Sequence, residues 1–147
     1  CEMLRISLTV GLLVLSAGLA VAEEKVRATL YKNPGCGCCE KYADYLRANG
    51  FVVTSIEAPN MSVIKQTHGV RANLEGCHTT VIGDYVVEGH VPIAPIKRLL
   101  AEKPAIKGIA LPGMPDGSPG MSGTKKGPFT ILAIPREGEP AQVYATE

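Results

Sequence analysis

The chain has 147 residues, of which 46% are hydrophobic and 20% charged, and its formal net charge at pH 7 is +1. This length is enough for one domain and short for two. A nearly neutral chain lacks the basic excess that draws proteins to nucleic acids, so we expect no nucleic-acid partner.

The amino-terminal residues have the layout of a secretory signal peptide. Arg5 is followed by an apolar run over residues 6–19, and residues 20–22 read Ala-Val-Ala. A positive residue, a short apolar core and an A-x-A cleavage site are the three parts of such a signal. Retention as a short membrane anchor is the alternative, although the run is short for a full span.

This pattern sets the expected domain organisation. We predict removal of residues 1–22, with residues 1–2 lying upstream of a natural start at Met3. The mature chain, residues 23–147, is then a single exported domain without stable membrane insertion, and a bacterial periplasm is its expected location.

The mature chain opens with a strand, a helix and a second strand. Residues 26–32 alternate in part and end at Asn33-Pro34-Gly35, which is typical of a strand followed by a turn. Cys39, with positions 42, 43 and 46, predicts one buried face of a helix that ends at Asn49-Gly50. Residues 51–56 form a β-branched strand. Two strands joined by a helix are expected to be parallel.

The next segment completes an α/β fold. Asn60 is a predicted N-cap for a short helix, and residues 79–82 and 85–88 predict an antiparallel pair of strands. A final helix runs through residues 99–101, with Pro92 or Pro95 in its first turn. The resulting order, β-α-β-α-β-β-α, resembles that of a thioredoxin-like domain.

Residues 104–147 form a predicted carboxy-terminal extension of that domain. Residues 110–127 are dense in Gly and Pro and carry Met114 and Met121 in matching Gly-Met contexts. Residues 130–134 and 142–145 then predict two strands of a β-hairpin packed on the main domain.

The reactive chemistry is concentrated at Cys36-Gly37-Cys38-Cys39, where the first strand passes into the first helix. Free backbone N–H groups and the helix dipole at such a junction favour thiolates, which are both nucleophiles and metal ligands. An exported protein usually pairs its cysteines, but neighbouring cysteines bridge only with strain. The spacing therefore argues against ordinary structural disulfides and favours a metal site or redox exchange.

Two features favour metal binding over disulfide exchange. Cys38 is superfluous for a cycle that uses Cys36 and Cys39. Cys77-His78 precedes the third strand without the proline that thioredoxin-like proteins carry there, so we expect a fourth thiol to face the other three.

Four thiolates suit Cu(I), Zn(II) or an iron–sulfur cluster. Adjacent Cys38 and Cys39 are awkward for one ion, and bridging thiolates in a polynuclear Cu(I) cluster accommodate them better. We therefore predict Cys36, Cys38, Cys39 and Cys77 as copper ligands, with zinc less favoured. A thiol–disulfide oxidoreductase using Cys36 and Cys39 and a structural zinc domain stay as alternatives.

Four further residues are candidate ligands or neighbours of the ligands. His78 and His90 could bind the metal or hydrogen-bond a sulfur, and Met114 and Met121 could supply thioether ligands to Cu(I). For the histidines the alternative is a hydrogen bond to the backbone, and for the methionines it is ordinary loop packing.

Several motifs together resemble a family of small exported bacterial metal-binding proteins of unknown function that includes the CopG copper-tolerance proteins. They are Tyr31-Lys32-Asn33-Pro34-Gly35-Cys36-Gly37-Cys38-Cys39, Cys77-His78-Thr79, Glu88-Gly89-His90-Val91-Pro92 and Pro112-Gly113-Met114-Pro115-Asp116-Gly117-Ser118-Pro119-Gly120-Met121. The resemblance implies a thioredoxin-like fold, a periplasmic location and copper bound by the cysteine cluster, with redox between Cu(I) and Cu(II).

The expected function is therefore copper tolerance. The protein would hold Cu(I) and pass it to a periplasmic carrier, oxidase or exporter, or change its oxidation state. Whether it is an enzyme, acting on copper or on thiols, is left open by the sequence.

Overall fold

The computed structural model describes residues 25–136 and 138–147. The predicted signal peptide, with its cleavage site, lies outside these residues. The described part forms seven strands: β1 (Arg27–Lys32), β2 (Val52–Glu57), β3 (His78–Ile82), β4 (Tyr85–Glu88), β5 (Gly108–Ala110), β6 (Thr130–Ile134) and β7 (Val143–Thr146). It also forms three α-helices: α1 (Gly37–Ala48), α2 (Met61–Thr67) and α3 (Ile93–Glu102). None of these helices is long and apolar enough to cross a membrane.

All seven strands belong to one mixed sheet in the order β2-β1-β3-β4-β5-β6-β7. β1 is parallel to β2 and antiparallel to β3, and β3 is antiparallel to β4. The predicted β-α-β unit and the predicted β3–β4 pair are therefore confirmed. So is the element order from β1 to α3.

The helix boundaries follow from local chemistry. The face of α1 that was predicted to be buried is buried completely, since Cys39, Tyr42, Ala43 and Leu46 are inaccessible to solvent. Gly50 has φ +95° just beyond the helix, a conformation that suits glycine and ends α1.

The two later helices begin as predicted. The Asn60 side chain accepts a hydrogen bond from the Val63 N–H and so caps α2. Pro92 is the N-cap residue of α3, where its missing N–H leaves no helical hydrogen bond unmade.

The carboxy-terminal extension differs from the prediction in how it is attached. β6 and β7 form the expected antiparallel hairpin, but the hairpin continues the main sheet. The link is β5, which pairs parallel to β4 and antiparallel to β6. This strand was not predicted, because three residues at the start of the Gly- and Pro-rich stretch are too few to show a periodicity.

Gly108 makes this attachment sterically tight. It pairs with Val86 of β4, and a Cβ atom at position 108 would overlap the Val86 carbonyl oxygen. Only glycine lets β5 approach β4 closely enough to carry the rest of the sheet.

We expect Gly108→Ala to lower the free energy of unfolding by at least about 2 kcal/mol, because the added methyl group must push β4 and β5 apart. Gly127→Ala is the matched control, since a Cβ there meets no heavy atom within 4 Å. Urea unfolding followed by circular dichroism measures both. Equal stabilities of the two variants would contradict the proposed role of Gly108.

Candidate metal centre

The start of α1 presents three cysteines to one side. Cys36 is the N-cap residue, but its side chain makes no capping hydrogen bond, so its sulfur is free for other contacts. Gly35 precedes it with φ +71°, which turns the chain from β1 into the helix. Cys38 and Cys39 lie in the first turn, where unpaired N–H groups favour thiolates.

Cys77 stands opposite these cysteines, one residue before β3. Its Sγ lies 3.6 Å from Cys39 Sγ and 3.8 Å from Cys38 Sγ, and Cys38 Sγ lies 3.6 Å from Cys36 Sγ. All four sulfurs lie within 4.8 Å of one another. The fold therefore brings together the four thiols that the sequence analysis chose, although they are separated by up to 41 residues.

Two of these sulfurs are joined. Cys36 and Cys39 form a disulfide with their Cα atoms 5.4 Å apart, while Cys38 and Cys77 are free thiols. The bridged pair is the one that the disulfide-exchange alternative uses, and the adjacent Cys38 and Cys39 are not bridged to each other. A separation of three residues in the first helical turn puts Cys36 and Cys39 on the same side, within bridging distance.

His90 points its free lone pair at Cys77. Its Nδ1 lies 2.7 Å from the Pro119 carbonyl oxygen, which can only accept, so Nδ1 carries the hydrogen. Nε2, 2.9 Å from Cys77 Sγ, is then the acceptor for the thiol proton. Burial lowers the pKa of His90, which keeps the imidazole neutral and able to bind a metal.

His78 contacts the same sulfur from the other side. Its Nδ1 lies 3.2 Å from Cys77 Sγ. Because the single thiol hydrogen is donated to His90, His78 Nδ1–H is the donor in this contact. His78 Nε2 is then an acceptor, and it is buried without a partner. Burial holds the pKa of His78 well below its usual value, so the ring stays neutral.

Tyr42 forms the floor beneath both histidines. Its ring centroid lies 4.5 Å from that of His78 and 5.4 Å from that of His90. Its hydroxyl donates a hydrogen bond to the Val91 carbonyl oxygen, 2.8 Å away. From the sequence, Tyr42 was assigned only to the buried face of α1. Its spacing of three residues from Cys39 could have indicated that its ring lies next to the cysteines on that face.

Cys77 is protonated at neutral pH in this state. Burial, with the neighbouring Cys38 thiol, raises its pKa to about 12. A metal that binds the Cys77 thiolate must therefore displace a proton, and His90 Nε2 is the base in contact with that proton.

The Gly/Pro/Met loop, residues 110–127, borders the site through its backbone. Gly113 N–H donates to the Glu75 carbonyl oxygen at 2.9 Å. A Cβ at Gly120 would lie 2.9 Å from the Cys38 carbonyl oxygen, so the loop touches the first turn of α1. The Met114 side chain is 54% exposed and Met121 is half-buried. That either thioether binds a metal stays a prediction.

The donor atoms form two groups that share Cys77. One group holds the four sulfurs, and the other holds Cys77, His78 and His90. Thiolates and neutral imidazoles together suit soft and borderline ions such as Cu(I) and Zn(II) and do not suit hard cations.

We expect Cys77 to react slowly with iodoacetamide at pH 8 in the disulfide-bonded protein, because the thiolate is the reactive form and the pKa is raised to about 12. Initial rates between pH 7 and 11, resolved by peptide mapping, separate Cys77 from Cys38. The Cys77 rate should still rise above pH 10. A plateau near the ordinary thiol pKa of about 8.5 would contradict this environment.

The family described as "Protein of unknown function, DUF411" matches residues 74–121. This segment contains Cys77, both histidines of the site and both loop methionines, and it stops short of the α1 cysteines. None of the curated proteins compared matches the chain.

Two solved structures, titled as forms 2 and 1 of the copper resistance protein CopG, match most of the chain. Each is 39% identical, covers 84% of this chain and has a TM-score of 0.77, and the matches span 99% and 98% of the respective CopG chains. With that identity over nearly the whole of CopG, this chain belongs to the family that includes the copper resistance protein CopG.

Proposed function

We propose that this protein holds Cu(I) in a thiolate cluster formed by Cys36, Cys38, Cys39 and Cys77, as part of copper tolerance. The convergence of these four sulfurs around Cys77 is the observation that supports this function. The matched structures carry copper resistance in their titles.

The sulfur spacing fits shared metal ions. Two thiolates bound to one tetrahedral ion at ~2.3 Å lie about 3.8 Å apart. The non-bonded sulfur pairs Cys36–Cys38, Cys38–Cys77 and Cys39–Cys77 lie 3.6–3.8 Å apart. Cys77 touches two other cysteine sulfurs and two imidazoles, so it is the natural bridging ligand. Bridging thiolates favour Cu(I) clusters over a single zinc ion, which needs four separate ligands in one tetrahedron.

Loading requires a change of redox state. A disulfide sulfur carries no thiolate charge, so Cys36 and Cys39 become ligands only after an external dithiol has reduced their bond, giving up two electrons and two protons and becoming a disulfide itself. Cu(I) binding then displaces the remaining thiol protons, including the one that Cys77 shares with His90.

The neighbouring side chains complete the proposed site. His90 Nε2 lies close enough to Cys77 to bind an ion held there. His78 Nδ1 would do so only in the tautomer that carries its hydrogen on Nε2, the nitrogen that is buried without a partner. Met114, exposed at the edge of the site, and Met121 are proposed as thioether contacts for incoming Cu(I).

We also propose the setting in which this chemistry takes place. Residues 23–147 would form one thioredoxin-like domain, which the order β-α-β-α-β-β-α and the cysteines at the start of α1 support. The signal-like residues 1–22 support a periplasmic location. There the protein would pass Cu(I) to a carrier, oxidase or exporter, or change its oxidation state.

Anaerobic titration tests the copper proposal. We expect the reduced mature protein to bind more than one Cu(I) per chain, and Cys77→Ser to bind fewer, because the bridging sulfur is lost. The disulfide-bonded protein should also bind fewer ions, since two thiolates are removed. Elemental analysis after desalting gives the stoichiometry.

Serine at position 122 lies outside the proposed site, so Ser122→Ala is the control for the mutagenesis and should bind as the parent does. A single zinc ion per chain, unaffected by Cys77→Ser, would rule out the cluster.

The disulfide itself supports a second candidate, a periplasmic thiol–disulfide oxidoreductase. Cys36 and Cys39 are already paired, and Cys77 Sγ lies 3.6 Å from Cys39 Sγ, within reach of an exchange reaction.

An insulin-reduction assay with dithiothreitol distinguishes the two candidates. If copper binding is the function, we expect turnover no faster than the uncatalysed reaction, because Cys77-His78 stands where thioredoxin-like exchange proteins carry a proline. Turnover that is lost in Cys36→Ser and Cys39→Ser but kept in Cys38→Ser would instead establish the oxidoreductase.

A further inference from the structure

A buried carboxylate lies directly behind the cysteine site. Glu88, the last residue of β4, is inaccessible to solvent. Its Oε1 accepts a hydrogen bond from the Gly76 N–H at 2.7 Å, and its Oε2 accepts one from the Thr79 hydroxyl at 2.7 Å. Lys65 of α2 forms an ion pair with the same carboxylate.

These partners bracket the central ligand. Gly76 comes immediately before Cys77, and Thr79 follows it by two residues. One carboxylate therefore fixes the chain on both sides of Cys77-His78. Glu88 also stands two residues before His90, so the same group ties together the two strand ends that carry the donors.

The backbone geometry leaves room for this arrangement only because of glycine. A Cβ at Gly76 would lie 2.5 Å from the Gly89 Cα atom. The Gly89 N–H donates to the His78 carbonyl oxygen at 3.0 Å. The ends of β3 and β4 thus approach each other closely at the level of the site.

Burying the Lys65–Glu88 ion pair requires the desolvation of two charges, and that penalty can exceed the attraction between them. The Lys65 side chain is only 6% exposed and Glu88 is fully buried. Replacing such a pair with apolar residues is often neutral or stabilising, so stability alone does not account for it. A carboxylate differs from an apolar side chain because it can accept several directed hydrogen bonds at once. Here it accepts two from residues around Cys77, namely the Gly76 N–H and the Thr79 hydroxyl.

We propose that Glu88 is a positioning residue for the metal site, holding Cys77 at the distance from Cys38 that a shared ion requires, with Lys65 neutralising its buried charge. The consequence for copper rests on the proposed function. The consequence for the position of the Cys77 sulfur does not.

Two measurements separate these consequences. The first is Cu(I) affinity of the reduced protein, from competition with a chromogenic Cu(I) chelator. The second needs no copper: diamide oxidises the Cys38 and Cys77 thiols to a disulfide, taking up their two electrons and two protons. The rate of that closure reports on the 3.8 Å approach of the two sulfurs.

In Glu88→Gln, the amide has one acceptor atom in place of two and carries no charge, so the hydrogen bonds that hold the chain beside Cys77 become weaker. We expect Cu(I) affinity to fall about tenfold or more, as for other residues that orient metal ligands, and Cys38–Cys77 closure to slow.

The decisive variant is the double replacement Lys65→Met/Glu88→Leu. It removes both charges without leaving one unpaired, so we expect it to regain the thermal stability that Glu88→Gln loses. Cu(I) affinity and closure should nevertheless stay reduced, because no acceptor remains for Gly76 and Thr79. The positioning role is wrong if the double variant matches the parent in Cu(I) affinity and in the rate of Cys38–Cys77 closure. It is also wrong if Glu88→Gln leaves that rate unchanged.

Ile134→Ala controls for stability loss alone. Ile134 is buried in a separate apolar cluster that contains none of the cysteines, so this variant should be less stable yet show parent-like copper affinity and closure. If its closure is as slow as that of Glu88→Gln, general destabilisation accounts for the effect and the proposal fails. If the parent protein binds no Cu(I), the proposed function is wrong. The rate of Cys38–Cys77 disulfide formation then still tests whether Glu88 positions Cys77.

Discussion

The placement of a single sulfur, Cys77 Sγ, determines what this structure can do. It lies one residue before β3, where the sheet meets the start of α1, and it contacts Cys38, Cys39, His78 and His90 within 3.8 Å. Its position depends on non-local pairing, since β3 lies between β1 and β4 in the sheet. If that pairing moved by one residue, the side chain would point to the opposite face and the site would be lost.

The same four sulfurs support two chemistries that exclude each other. While Cys36 and Cys39 share a disulfide, only the Cys38 and Cys77 thiols and the imidazoles can bind a metal. After reduction, all four sulfurs are available as thiolates for a soft ion. On the proposed function, the number of thiolates open to Cu(I) would therefore depend on the redox state of the cysteines.

Local patterns were sufficient to predict much of the architecture. The buried face of α1, the Asn60 cap and the β3–β4 pair depend on residues close in sequence, and all were confirmed. β5 was missed because three residues are too few to show a periodic pattern, and the strand is defined by its pairing with β4 and β6. The state of Cys36 and Cys39 was left open between metal ligands and a redox pair, because spacing along the chain does not say whether the two sulfurs are bonded.

The sequence by itself was enough to name the candidate donors: three thiols at a helix start, a fourth at Cys77, and histidines in the motifs that follow. Only the tertiary structure decided how they act together. It set the lone pair of His90 against Cys77 through the Pro119 carbonyl oxygen, and it placed the Glu88 carboxylate behind Cys77. These contacts join residues 12 to 29 positions apart, and their distances depend on sheet register and loop closure, which spacing along the chain does not encode.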